Sequence, residues 1–293
     1  MMNKLFVVSL LVFGAPSFAE DVRQIQDAEA ESEIIIFNTA GEVEVIGWSR
    51  NQVEIEAELG SGVKELIFEV DGNEVLIEVK APGHHNNNIA SDLVIRVPEK
   101  SSLEISTVSA DISVEDVMGR QYIDSVSGDI DTAAYESDLD IEAVSGDIEV
   151  QGSNKKIRVR VDTVSGDMDF QALDGEVEVD TVSGDVVLYD SRFENAEAES
   201  VNGDIVFHAE LYGDRRINFE TVNGDIDIKF DGDVSARFDI ETFNGDIRNC
   251  FGPDPVRTSK YAPGRELKFS EGGGDGRVVI RTLNGDLRLC KND

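Results

Sequence analysis

The sequence predicts an all-β protein: a parallel β-helix, or β-solenoid, with coils of about 20 residues and an irregular β cap at the N-terminal end. Three observations lead there. First, one hexapeptide occurs nine times from Thr107 onward, as TVSADI, SVSGDI, AVSGDI, TVSGDM, TVSGDV, SVNGDI, TVNGDI, TFNGDI and TLNGDL. Its aspartates are Asp111, Asp129, Asp147, Asp167, Asp185, Asp204, Asp225, Asp246 and Asp286, spaced by 18, 18, 20, 18, 19, 21, 21 and 40 residues. A period near 20 that tolerates small changes fits stacked coils whose outer loops absorb the slack. Second, apolar residues alternate before each hexapeptide (Leu139, Ile141, Ala143) and after it (Ile148, Val150), the mark of strands with one buried face. Third, the two alternations are out of register. Ala143 and Ile148 are five apart, so a straight strand would point them to opposite faces. The chain must bend within Val-Ser/Asn-Gly-Asp, and glycine permits that bend.

Taken in order along the chain, residues 1–19 read as a signal peptide. Lys4 supplies the positive start, Leu5 to Phe13 the short apolar run, and Ser17 and Ala19 the small residues before a cleavage expected between Ala19 and Glu20. The run is too short for a permanent span. The residue after the expected cleavage site is Glu20 and not the cysteine of a lipoprotein, and no later segment approaches spanning length. The expected location is therefore periplasmic or secreted.

Residues 20–106 lack the hexapeptide but alternate as strands, with breaks at Ala40-Gly41, Gly60-Ser61-Gly62 and Asp71-Gly72-Asn73. An open solenoid end needs an atypical cover, and this part reads as that cover, continuous with the column. A separate small β-domain is the alternative. His84-His85-Asn86-Asn87-Asn88 reads as a solvated polar loop rather than a metal site, because no other His or Cys lies nearby in sequence.

Residues 107–293 form the coils. Within them, 251–270 carries Pro253, Pro255 and Pro263 and several basic residues, and proline excludes a central strand. It reads as an excursion that covers the last coil and as a candidate contact surface. "ELKF" with "RVVIRT" is expected to supply the strands of one final coil. Cys250 and Cys290 each follow a hexapeptide aspartate by four positions and so share one phase. If one coil plus the excursion separates them, their Cα atoms lie near 4.8 Å apart, and an exported protein meets oxidising conditions. A Cys250–Cys290 disulfide is the expectation.

Nine stacked aspartates need compensation, since like charges about 5 Å apart repel by roughly 1 kcal/mol even in water. Local capping, each carboxylate accepting backbone N–H groups at its own turn, is the simpler explanation. A bound cation such as calcium is the other, although the spacing does not match the nine-residue calcium-binding β-roll.

Composition bounds the function. Sixty acidic against 26 basic residues leave a formal charge of -34, which excludes nucleic acid and anionic lipid surfaces as natural partners. One Trp and five Tyr are poor material for stacking sugars. No Ser/His/Asp arrangement, zinc spacing or phosphate loop stands out, so no catalytic residue, metal or cofactor is expected.

At its nine hexapeptides the chain resembles the bacterial "putative adhesin" family with β-strand repeats, domain of unknown function 4097. "AGEVEVIGWSRNQVEIEA" is similar to that family's opening, "DLVIRVPEKSSLEISTVSADISVEDVMG" to its entry into the coils, and "EGGGDGRVVIRTLNGDLRL" to its end. The resemblance implies a β-helical solenoid of the envelope or exterior with no catalytic residues. The expected function is an exported non-enzymatic scaffold for adhesion or envelope interactions, its partner an unidentified envelope or extracellular protein or glycan. An enzyme acting on envelope or extracellular polysaccharide is the alternative. It would need acids converging in one cleft, whereas here they are spread along the column.

Overall fold

The corner hexapeptides from Ser125 onward each join the end of one strand to the start of the next, while the first, TVSADI, lies within one continuous strand. The computed structural model describes residues 20–81, 88–259 and 263–291. The expected signal peptide, up to Ala19, and His84 to Asn87 lie outside the described residues, while Glu20 opens the first strand. The N-terminal strands are β1 (Glu20–Asp27), β2 (Glu33–Trp48), β3 (Gln52–Leu59), β4 (Glu65–Asp71), β5 (Glu74–Lys80), β6 (Ser91–Pro98) and β7 (Ser102–Glu115). Then come β8 (Gln121–Ser127), β9 (Ile130–Ala134), β10 (Leu139–Ser145), β11 (Ile148–Gly152), β12 (Lys156–Ser165), β13 (Met168–Gln171), β14 (Asp174–Ser183), β15 (Val186–Asn202) and β16 (Ile205–Asn223). The last are β17 (Ile226–Phe230), β18 (Ala236–Asn244), β19 (Ile247–Asn249), β20 (Val256–Arg257), β21 (Arg265–Glu271), β22 (Gly276–Asn284) and β23 (Leu287–Lys291).

Two parallel ladders run through the repeats. The ladder before the corner joins β7, β8, β10, β12, β14 and the second halves of β15 and β16. The ladder after it joins β7, β9, β11, β13, the first halves of β15 and β16, and β17. Hexapeptides stack in register: Thr163 faces Thr181, and Ser165 faces Ser183. Ala143 and Ile148 are both buried, so the corner turns both strands inward as the phase change requires. The buried Val, Ile, Leu and Phe of both ladders form one continuous cluster, with a buried row of Thr107, Ser125, Thr163, Thr181, Ser200, Thr221, Thr282 and Thr242 beside the corners, interrupted only at Ala143.

The glycine of the corner has two reasons to be glycine. Gly166 has φ +132°, and a Cβ there would lie 1.9 Å from the carbonyl oxygen of Gly146 in the repeat below. Gly285 has no positive φ, yet its Cβ would meet the Gly224 oxygen at the same 1.9 Å. Close stacking of backbones, more than left-handed geometry, excludes a side chain from Gly128 onward, while the first hexapeptide carries a buried Ala110 at this position.

The N-terminal part begins the stack. β2 pairs in parallel with β7 over both halves, placing Asn38 opposite Thr107 and Glu42 opposite Asp111. "NTAGEV" (Asn38 to Val43) is therefore a tenth, degenerate corner, with Gly41 at φ +111°. The division drawn at 106 and 107 falls inside β7 and marks where recognisable hexapeptides begin, not a break in the structure. Beyond β2, the antiparallel pair β4–β5 covers one ladder, while β6, β3 and β1 cover the other. Glu54 is buried there and held by Arg23 at 3.0 Å and Arg96 at 3.2 Å.

The C-terminal end departs from the sequence expectation. β22 pairs with both β16 and β18, and β23 with both β17 and β19. The last repeat in sequence is thus the penultimate repeat in space, inserted between those of Asp225 and Asp246. "ELKF" does not contribute to that repeat. It lies in β21, which runs antiparallel along β18 and carries β20 at its outer edge. The excursion of residues 251–270 covers the end of the ladder with this reversed edge. Phe269 of β21 stacks on Phe238 at 4.4 Å, and Phe251 packs on both. Cys250 and Cys290 form a disulfide with Cα atoms 4.9 Å apart, tying the end of β19 to β23 in the neighbouring repeat.

Candidate interaction surface

The burial alternation sets the surface. Since the first residue of each hexapeptide, threonine, serine or Ala143, points inward, the next residue must point out. Val108, Val126, Val144, Val164, Val182, Val201, Val222, Leu283 and Phe243, in spatial order, are 39–50% exposed. Of the 12 large apolar side chains exposed among the described residues, nine stand in this one column, so the exposure is organised rather than scattered. Exposed apolar patches of more than a few hundred Å² are uncommon on monomers and often functional. Valine is a good strand former, but threonine has the same shape and β propensity with a polar surface. Strand formation alone does not account for an apolar residue at all nine positions.

Carboxylates flank the column on both sides. Two residues before Val108 lies Ser106, and two before the other six valines lie Asp124, Glu142, Asp162, Asp180, Glu199 and Glu220, six neighbours in an uninterrupted row. Arg281 follows and bonds Glu220 at 2.9 Å, and Glu241 comes next. Burial, then the charges of Asp162 and Glu178, pushes the Asp180 carboxyl up from its ordinary value. Burial, then Asp180, Glu220 and Glu197, does the same to Glu199. Between this row and the apolar column, over the last repeats, runs a shallow open groove of about 600 Å³.

On the other side stand all nine corner aspartates, brought into a single file. Each carboxylate caps its neighbour in the stack rather than its own turn, which corrects the local-capping expectation. Asp111 Oδ1 accepts the N–H of Asp129 at 3.0 Å, and the relay continues through Asp147, Asp167, Asp185, Asp204 and Asp225 at 2.7–3.0 Å. The last steps run Asp225 to Asp286 to Asp246, following spatial and not sequence order. The final carboxylate, Asp246, meets Arg265 of β21 at 2.6 Å, so the cap also closes the aspartate file. Where the corner serine becomes asparagine, the amides form a second relay through Asn202, Asn223, Asn284 and Asn244.

Among the described residues, no group of three His, Cys, Asp or Glu side chains is placed to hold a metal. His208 on β16 is held toward its neutral form, first by burial and then by Lys229. No helix of the described residues is long and apolar enough to cross a membrane. The apolar column and the corner of β2 are what the sequence reading passed over. The signal for the column was present, since a buried threonine fixes its neighbour outward. In sequence, Ala40-Gly41 reads only as a turn.

Strands stacked in register and an exposed column running along them define an all-β repeat protein whose distinctive feature is an extended face. The chain belongs to the Toastrack DUF4097 family, whose model matches residues 32–289. Among solved structures it is similar to a "putative lipid binding protein" of Parabacteroides distasonis, at 13% identity over 93% of this chain and 98% of that one, TM-score 0.54. It is also similar to a "putative adhesin" of Bacteroides fragilis, at 13% identity over 94% and 99%, TM-score 0.47. A "putative adhesin" of Parabacteroides distasonis matches at 11% identity over 92% and 98%, TM-score 0.45. No curated protein is similar enough to count as a relative.

Proposed function

We propose that the protein is an exported, non-enzymatic β-solenoid scaffold that presents the apolar column to a partner in the cell envelope or outside the cell, in an adhesin-like role. The observation that carries this reading is the column itself: nine exposed apolar side chains in register along the repeats. The spread of carboxylates along both rows, broken in one row only by Ser106 and Arg281, supports a presenting surface over a reaction centre, which needs groups converging on one point. The adhesin names borne by similar structures agree with this role, and a lipid ligand is an outcome to be tested alongside protein and glycan.

Two measurements test it. Intact mass of protein recovered from the envelope or medium of the native host should show a chain beginning at Glu20; a cytoplasmic chain retaining Met1 would remove the exported role. Binding to arrays of envelope proteins, glycans and lipids should fall when Val164, Val182, Val201 and Val222 are replaced by Thr. Undiminished binding in a folded variant would remove the column from the function.

A further inference from the structure

Which chemistry fits a narrow apolar column between two acidic rows? The candidates separate on charge and spacing. A second copy of this chain carries the same -34 and the same acidic rows, so face-to-face pairing brings like charges together. An anionic lipid surface meets the same repulsion. A neutral glycan is recognised mainly by aromatic faces, and the column holds a single aromatic, Phe243. Cationic groups are attracted to both rows at once, on either side of an apolar centre.

Spacing selects the form of that partner. The repeats stack about 4.8 Å apart, so nine positions span about 38 Å. An extended strand laid along the column presents same-face side chains about 6.8 Å apart and loses step within two repeats. An α-helix advances about 5.4 Å per turn and stays nearly in step over several repeats. A helix with one apolar stripe carries basic residues on both flanks of that stripe, the arrangement that two acidic rows complement. The column's backbone is already paired on both sides by its own ladder, so the contact is made by side chains and not by strand addition.

We infer that the column of Val108 to Phe243, with the aspartate file on one side and the Asp124–Glu220 row on the other, is a docking track for a basic amphipathic α-helix of a partner protein. This rests on the presenting role proposed above and names its partner class. The surplus of unneutralised carboxylates beside the groove, Asp180 and Glu199 among them, is what the helix's lysines and arginines would neutralise.

The test uses the purified protein and a dye-labelled synthetic helix of about 26 residues, the length of the track, with leucines on one stripe and lysines on both flanks. At about 150 mM salt the peptide should bind, and more weakly as salt rises. The Val164→Thr, Val182→Thr, Val201→Thr, Val222→Thr protein, unchanged in charge, should bind it about tenfold or more weakly. On wild-type protein, a peptide with every leucine replaced by serine should lose affinity to a similar degree; this arm needs no variant to fold. Equal binding of the serine peptide, equal binding by the folded threonine variant, or no binding up to about 100 μM would each overturn the inference. If the peptide fails while the threonine variant still loses binding to envelope components, the presenting role stands and the helix is wrong.

Discussion

Asp167 takes part in two hydrogen bonds of its file: its N–H donates to Asp147, and its carboxylate accepts the N–H of Asp185 at 2.9 Å. Asparagine keeps an acceptor oxygen and removes one charge from a crowded row, whereas alanine removes the acceptor. Thermal melts should therefore rank Asp167→Asn at or above wild type, and Asp167→Ala about 1 kcal/mol below it. A loss for Asn as large as for Ala would mean that the charge itself is needed, as for a bound cation. Glu199 stands in the other acidic row, without a cap among the described residues. Its carboxyl titrates above the ordinary value because of burial first and the neighbours Asp180, Glu220 and Glu197 next. The folded chain then binds protons more readily than the unfolded chain, so this group's contribution falls as pH rises through the unfolded and folded values. Glu199→Gln should raise the melting temperature at pH 7, with the gain vanishing below about pH 4. A gain unchanged at low pH would contradict the charge origin.

At the scale of the element, the C-terminal cap depends on β21. Its Phe269 stacks on Phe238, and its Arg265 closes the aspartate file. Phe269 is only partly buried, so Phe269→Ala should cost about 2 kcal/mol, less than a fully buried phenylalanine. Hydrogen exchange should show lost protection first in β18 and β21. Uniform loss across the stack would argue against a local cap. The strands of the cap were only partly legible. Proline predicts an edge here, and β20 directly after Pro255 is one. "ELKF" alternates as well as any coil strand, however, and alternation does not say whether a strand pairs parallel or antiparallel. The corner strands were legible because their alternation, the phase change and the glycine all agree.

For the whole molecule, stability should resemble a one-dimensional stack in which each repeat contacts its neighbours. The disulfide joins Cys250 and Cys290 across 40 residues and encloses the excursion. The chain-entropy model gives up to about 4 kcal/mol for such a loop. Replacing both cysteines by serine should lower the melting temperature by several degrees and release β18, β19, β22 and β23 in hydrogen exchange before the earlier repeats. No shift, or two freely alkylated cysteines in protein from an oxidising compartment, would count against the clamp.

The sequence by itself determined the repeat, the inward faces of both strands at each corner and the common phase of the two cysteines. Period-two alternation and a glycine bend constrain side-chain direction wherever one face is buried. It also contained, unread, the outward valine column and the corner at Gly41. Only the tertiary structure decided the order of the last repeats. The Asp225, Asp246 and Asp286 hexapeptides are nearly interchangeable in local chemistry, so local pattern cannot rank them. The excursion supplies enough chain for the last repeat to return beneath the one before it. The Asn223–Asn284–Asn244 amides, the Asp225–Asp286–Asp246 relay and the edge closed by β21 are satisfied together in that order. Likewise, that each aspartate caps its neighbour and not itself follows from stacking, a contact between residues about 20 apart that no single turn contains.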